Sequence, residues 1–265
     1  MAFALINGIQ LYYRIDARPE AGAGAPWLVL SNSLGSDLTM WSPQIDALAA
    51  HYRILRYDTR GHGRSDAPAG PYTIDQLAGD VVGLLDTLDI AKAHFCGISM
   101  GGLTGIALAA RFPERLGRVV LANTAAQIGA AEVWTSRAAQ TRAAGIATLC
   151  DGVIARWFTP AFLNAQPLYV GHIRDVLRHT SGEGYAANCE AIRDADLRTE
   201  ARSIALPVLV LAGTHDESTP AAQGRELAIS IGRARYVELD AAHLSNIEQS
   251  GAFTRAALEF LGAPG

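Results

Sequence analysis

Lysine is almost missing from this sequence. Lys92 is the only one, and every other basic side chain is arginine. Against 22 Lys and Arg stand 26 Asp and Glu, a formal charge of -4 that argues against a nucleic-acid-binding surface. Cysteine is nearly as scarce: Cys96, Cys150 and Cys189 are odd in number and far apart. That pattern fits neither a disulfide framework nor a metal cluster, and reads as small core residues in a reducing compartment. No apolar run approaches the ~20 residues of a membrane span, and Met1-Ala2-Phe3-Ala4 lacks the charged start of a secretory leader. Internal repeats, low-complexity tails and linkers are absent too. The expectation is a soluble cytoplasmic protein with no nucleic-acid and no membrane partner.

Hydrophobic residues, in contrast, make up 49% of the 265, enough for one large core or a core with an insertion. Two alternating stretches, 3–6 and 9–15, flank Asn7-Gly8, the strongest short hairpin signal. Trp27-Leu28-Val29-Leu30-Ser31-Asn32 is a continuous apolar run suited to a parallel strand buried on both faces. A helix over 43–50, a strand over 52–58 and a helix over 73–88 follow. The last has Ile74, Leu77, Val81, Leu84, Leu85 and Leu88 at helical spacing, with Thr73 as its cap. After a strand at 93–96, a helix at 102–112 and a strand at 118–123, this alternation predicts an α/β fold, a mostly parallel doubly wound sheet with an antiparallel N-terminal hairpin.

From 125 to 202 the rhythm stops. That stretch carries helical segments holding Trp134, Trp157, Phe158, Phe162, Tyr169 and Tyr185 but no convincing buried strand. It is expected to be an all-helical insertion, a cap on a core made of 1–124 and 203–265. Strand and helix alternate again over 207–213, 220–231, 234–239 and 252–261.

The chemistry centres on Gly97-Ile98-Ser99-Met100-Gly101, where a strand gives way to a helix. In such a G-x-S-x-G elbow the serine occupies a strained turn, and glycines two positions either side let strand and helix pass closely. A serine needs a base to take its proton and a carboxylate to hold that base in one tautomer. Asp216 falls just past one strand end and His243 just past the next, where open α/β sheets place their sites. Asp240 is a rival acid but lies close to the histidine's own strand, and His62 and His215 are rival bases. The expected set is Ser99, Asp216 and His243. The turn Asn32-Ser33-Leu34-Gly35 follows the 27–31 strand, so the backbone N–H groups of Leu34 and Met100 are the expected oxyanion donors. Asp58-Thr59-Arg60-Gly61-His62-Gly63-Arg64-Ser65 reads as a braced structural loop, with Arg60 tying neighbouring turns; anion binding by Arg60 is the other possibility.

With these segments in hand, the chain resembles the α/β-hydrolase superfamily along its whole length; the order Ser, Asp, His and the D-x-R-G-x-G-x-S loop are marks of that group. More narrowly, Asn32-Ser33-Leu34-Gly35, Trp41, Tyr57-Asp58-Thr59-Arg60-Gly61-His62-Gly63, Gly97-Ile98-Ser99-Met100-Gly101-Gly102 and the stretch from Glu238 through His243 to Glu248 resemble the 3-oxoadipate enol-lactonases of the protocatechuate branch of aromatic catabolism. Asn32-Ser33 stands where many hydrolases have His-Gly. Some members of that family are fused to a carboxymuconolactone decarboxylase; this chain is expected to hold only the hydrolase half. The resemblance implies hydrolysis of a small lactone bearing a carboxylate, with no metal and no organic cofactor. A carboxylesterase or C–C bond hydrolase is the alternative, and a non-catalytic ligand-binding receptor would leave the triad idle.

A substrate carboxylate needs a cation, and 125–202 offers Arg137, Arg142, Arg156, Arg174 and Arg178. Trp134 and Arg137 lie three apart and share a helix face, so they are the expected substrate-binding pair.

Overall fold

A computed structural model of the chain describes residues 2–22 and 24–262. Met1 and 263–265, which the leader reading and the core boundary touch, and Ala23 lie outside the described residues. Among those described, eight strands form one sheet: β1 (Ala2–Ile6), β2 (Ile9–Asp16), β3 (Trp27–Ser31), β4 (Arg53–Tyr57), β5 (Ala93–Ile98), β6 (Leu116–Ala122), β7 (Val208–Gly213) and β8 (Arg235–Leu239), in the order β1-β2-β4-β3-β5-β6-β7-β8. β1 pairs antiparallel with β2, and β2 with β4; all later pairs are parallel. The hairpin forms because Asn7 and Gly8 both accept positive φ, 47° and 81°, which a two-residue turn with the right twist demands.

The described residues also form twelve α-helices: α1 (Ser42–Leu48), α2 (Ile74–Thr87), α3 (Met100–Arg111), α4 (Ala131–Ala144), α5 (Cys150–Trp157), α6 (Pro160–Ala165), α7 (Pro167–His179), α8 (Gly182–Arg193), α9 (Arg198–Ser203), α10 (Ala221–Ile231), α11 (Ser245–Glu248) and α12 (Ser250–Leu261). α1, α11 and α12 pack together on one face, while α2, α3, α9 and α10 line the other. Sandwiched between them, Leu28, Val29 and Leu30 of β3 and Val119, Val120 and Leu121 of β6 are fully buried, as their unbroken apolar runs require. α2 starts at a capping box in which the Thr73 hydroxyl accepts the Gln76 N–H and the Gln76 side chain accepts the Thr73 N–H. The chain is thus an α/β protein with a mostly parallel, doubly wound sheet and an antiparallel N-terminal hairpin.

Helices α4 to α9 all lie between β6 and β7, where the sequence lost its strand rhythm. α4 packs on α8, and α9 returns to the core against α3 and α10. No described helix is long and apolar enough to cross a membrane.

Candidate active site

Ser99 caps α3 at φ 58° and ψ -115°, a left-handed backbone that a serine adopts only under constraint. The constraint is the close passage of β5, α3 and β3. A Cβ on Gly97 would run into the Gly101 carbonyl, and one on Gly101 into the Ser31 carbonyl. Ser99 N–H donates to Ala122 O (3.0 Å), and its carbonyl accepts the Thr124 hydroxyl (2.9 Å) and Leu103 N–H (3.0 Å). Its own hydroxyl makes no hydrogen bond with any described residue, to His243 or otherwise.

Asp216 and His243 sit beyond β7 and β8 and are brought together. His243 Nδ1–H donates to Asp216 Oδ2 at 2.8 Å, with both side chains almost wholly buried. Four more donors converge on the same carboxylate: Ser218 N–H (2.8 Å) and Thr219 N–H (3.0 Å) on Oδ1, and the Thr219 hydroxyl (2.7 Å) and Asn123 Nδ2 (3.0 Å) on Oδ2. Burial alone would raise this carboxyl; the His243 ring and the converging donors outweigh it and hold the pKa at about 2. A folded-state value below the ordinary 3.8 means that the carboxylate stabilises the fold above about pH 4 and loses that contribution as pH falls toward 2, a term on the order of 2 kcal/mol. We therefore expect the Tm difference between the wild type and Asp216→Asn to be flat above about pH 5 and to shift by several degrees, against the wild type, on approach to about pH 3. A difference independent of pH in calorimetry would refute the depressed pKa.

The rival acid is placed elsewhere. Asp240 accepts from His215 Nε2 at 2.8 Å on the surface, where their side chains are 84% and 57% exposed against 0% and 4% for Asp216 and His243. Arg60 has no free fork for an anion, because its Nε and Nη2 are both spent on Asp80 of α2, at 2.8 and 2.7 Å.

Above the elbow, the turn after β3 is a type II turn, with Ser36 N–H on Ser33 O (3.2 Å) and Gly35 at φ 79°. Ser33 N–H points at Met40 Sδ (3.4 Å) and Gly35 N–H at His62 Nε2 (2.8 Å). Leu34 N–H has no acceptor among the described residues, and neither has Met100 N–H at the start of α3. Unpaired buried N–H groups are rare, and one of these two belongs to the residue that directly follows the strained serine. Asn32 is fully buried and braces this turn: its Nδ2 donates to Tyr57 O (2.8 Å), and its Oδ1 accepts from Trp41 Nε1 (3.0 Å).

Of the five arginines considered for a substrate anion, two are committed. Arg142 bridges Glu183 and Glu190, and Arg174 pairs with Asp151. Arg178 is exposed. Arg137 is half-buried and stacks over Trp134, its Cζ 4.8 Å from the ring centroid, while the indole N–H is fixed to Ile128 O. Burial raises the pKa of the Tyr185 hydroxyl, against the charge and hydrogen bond of Arg137 and the charge of Arg156, which lower it. Arg156 also lines a cleft of about 870 Å³ with Phe158, Phe162, His215, Asp216 and Asp240.

Asn123 was not singled out by sequence reasoning. It follows β6 at φ 45°, donates to Asp216 Oδ2 and to Ala242 O (3.2 Å), and accepts the Ser245 hydroxyl (2.5 Å), so it ties the acid's loop to the histidine's. An Asn just past a buried strand is the only trace it leaves in sequence.

A model of the alpha/beta hydrolase fold family matches residues 26–250. The chain is 48% identical over 234 residues to 3-oxoadipate enol-lactonase 2 of Acinetobacter baylyi, covering 88% of each, and 42% identical over 229 residues to enol-lactonase 1 of the same organism, covering 86% of each. The crystal structure of the enol-lactonase from Burkholderia xenovorans LB400 superposes with a TM-score of 0.96 at 59% identity, covering 98% of this chain and 99% of that one. A strained serine on an elbow after β5, a buried Asp–His pair beyond β7 and β8 and these likenesses lead to one assignment: the chain belongs to the α/β-hydrolase fold family, alongside the 3-oxoadipate enol-lactonases.

Proposed function

We propose that the protein hydrolyses 3-oxoadipate enol-lactone to 3-oxoadipate in the protocatechuate branch of aromatic catabolism, with Ser99, His243 and Asp216 as its triad. The observation that carries the chemistry is the buried 2.8 Å bond from His243 Nδ1–H to Asp216, which leaves Nε2 as the basic nitrogen. The substrate follows from the enol-lactonase relatives. His243 takes the Ser99 proton as Oγ attacks the lactone carbonyl, and the oxyanion rests on the N–H groups of Leu34 and Met100. The ring C–O bond breaks, and His243 returns the proton to the leaving enol oxygen. An enol is less basic than an alkoxide, so this step needs little acid assistance. Water then attacks the acyl-serine with His243 as base, and the freed enol ketonises. In this reading residues 125–202 act as the cap. The test is turnover of freshly generated enol-lactone with 3-oxoadipate as product; an enzyme that ignores the lactone but cleaves aryl acetates is a carboxylesterase.

The same reading assigns the substrate carboxylate to Arg137, with Trp134 walling the pocket. Stacking on Trp134 and a hydrogen bond to the Tyr185 hydroxyl hold the guanidinium in place, and no carboxylate of the chain pairs with it among the described residues. A hydrogen-bonded charge pair is worth about 1.5–3 kcal/mol, so Arg137→Ala should lower kcat/KM for the lactone roughly ten- to a hundredfold. On a neutral aryl acetate the same variant should lose less than about threefold. Equal losses on both esters would mean that Arg137 supports cap packing and that the anion is held elsewhere.

A further inference from the structure

The mechanism leaves a fully buried histidine unused. His62, in the loop after β4, is 1% exposed, and its Nε2 accepts the Gly35 N–H at 2.8 Å. An accepting Nε2 fixes the tautomer, with the proton on Nδ1, which faces Arg60 O at 3.3 Å. Burial pushes the ring's pKa down to about 4, so the imidazole stays neutral and the acceptor is available near neutral pH.

We infer that His62 is a positioning residue for the oxyanion hole: by holding the Gly35 N–H it locks the 33–36 turn in the form that leaves the Leu34 N–H free for the substrate's oxygen. This rests on the reading of Leu34 as an oxyanion donor. The N–H groups of Ser33, Gly35 and Ser36 are all engaged, and Leu34 N–H alone in the turn is left over. The central peptide of a type II turn can rotate to the type I form unless something grips it. His62 grips it through the Gly35 N–H. Leu177 and Tyr185 of α7 and α8 also close on Gly35, where a Cβ would come within 2.6 Å of Leu177 Cδ1 and 3.1 Å of Tyr185 Cε2.

The ring is itself held by the inserted helices. Asn188 of α8 donates from Nδ2 to Arg60 O and to Gly184 O, both at 2.8 Å, beside His62 Nδ1. Gly61 and Gly184 touch backbone to backbone, and a Cβ on Gly61 would sit 2.7 Å from Gly184 Cα. The loop carrying His62 therefore cannot swing away while α8 is in place, and α8 is joined through Asn188 and His62 to the turn that receives the oxyanion.

The experiment compares His62→Leu, which removes the acceptor, with His62→Gln, whose amide oxygen can replace it. The substrate is an aryl acetate, so the result does not depend on the lactone being the natural ester, and active sites are counted by fluorophosphonate labelling, so misfolded protein does not register. Removing one oxyanion donor costs about 10²–10³ in kcat, and a loosened donor should cost about a hundredfold per labelled site, with KM changed less than about threefold. Binding of phenylboronic acid, which becomes tetrahedral on the serine, should weaken in parallel, and His62→Gln should stay within about tenfold of wild type. Wild-type kcat per site in His62→Leu, or a loss confined to KM, would overturn the inference while leaving the triad reading untouched. Should His62→Leu not fold, hydrogen exchange of the wild-type Gly35 amide decides: protection supports the bond, and exchange at open-loop rates refutes its role.

Discussion

Ser99→Ala is expected to remove ~10⁶-fold from kcat on the enol-lactone, the scale seen when a triad serine is deleted, while leaving thermal unfolding almost unchanged. The two halves of that statement have separate causes. In the proposed mechanism the hydroxyl is the atom that bonds to the lactone carbon, so nothing else in the site substitutes for it. Stability is spared because every hydrogen bond that Ser99 makes among the described residues is a backbone one, to Ala122, Leu103 and Thr124. Alanine keeps the Cβ, so the strain at φ 58° is the same in both proteins. With no hydrogen bond from the hydroxyl, no partner is orphaned, and the change in folding free energy should stay within about 0.5 kcal/mol. His243→Ala and the double variant should each cost about as much as Ser99→Ala alone, since the members act as a unit. Residual activity of a few per cent, measured on protein free of wild-type contamination, would rule out covalent catalysis by Ser99.

The parts of this molecule that could be read in advance are those governed by local rules. Asn7-Gly8 announces its hairpin because few dipeptides tolerate two positive φ values. Gly97 and Gly101 announce the elbow because a side chain at either would collide with backbone. The buried strands show as unbroken apolar runs, and α2 shows its cap and its stripe together. The supporting contacts around the site follow no such rule. Asn123 meets Asp216 across 93 residues, Asn188 meets Arg60 across 128, and His62 meets Gly35 across 27. Each is one polar side chain whose partner is chosen by tertiary folding, so no periodicity or spacing marks it. α11 escaped notice for a related reason: four residues, Ser245–Glu248, are too short to show a helical period. The five candidate arginines illustrate the same limit. Composition lists them as equals, and only the carboxylates that folding brings beside Arg142 and Arg174 separate them from Arg137 and Arg156.

Asp216→Asn should lower kcat by about 10⁴-fold, whereas Asp240→Asn should change it less than about threefold. The asymmetry follows from the donors around each carboxylate. Asp216 receives five, two backbone N–H groups on Oδ1 and three side-chain donors on Oδ2. An asparagine has one oxygen. If that oxygen stays with the Ser218 and Thr219 N–H groups, its NH₂ faces Asn123 Nδ2 and His243 Nδ1, donor against donor. The histidine relieves the clash by moving its proton to Nε2, and the nitrogen that should accept the Ser99 proton then carries one of its own. Turning the amide over restores the His243 contact but sets the NH₂ against two backbone donors, which cannot change tautomer. The variant therefore settles with His243 in the unproductive form, and the loss appears in kcat and not in KM. Asp240 offers no such lever, since its partner His215 stands in solvent and neither makes a hydrogen bond to His243 among the described residues. Parallel kinetics of the two variants on the lactone decide the matter, and a loss at Asp240 equal to or larger than that at Asp216 would transfer the role of acid to Asp240.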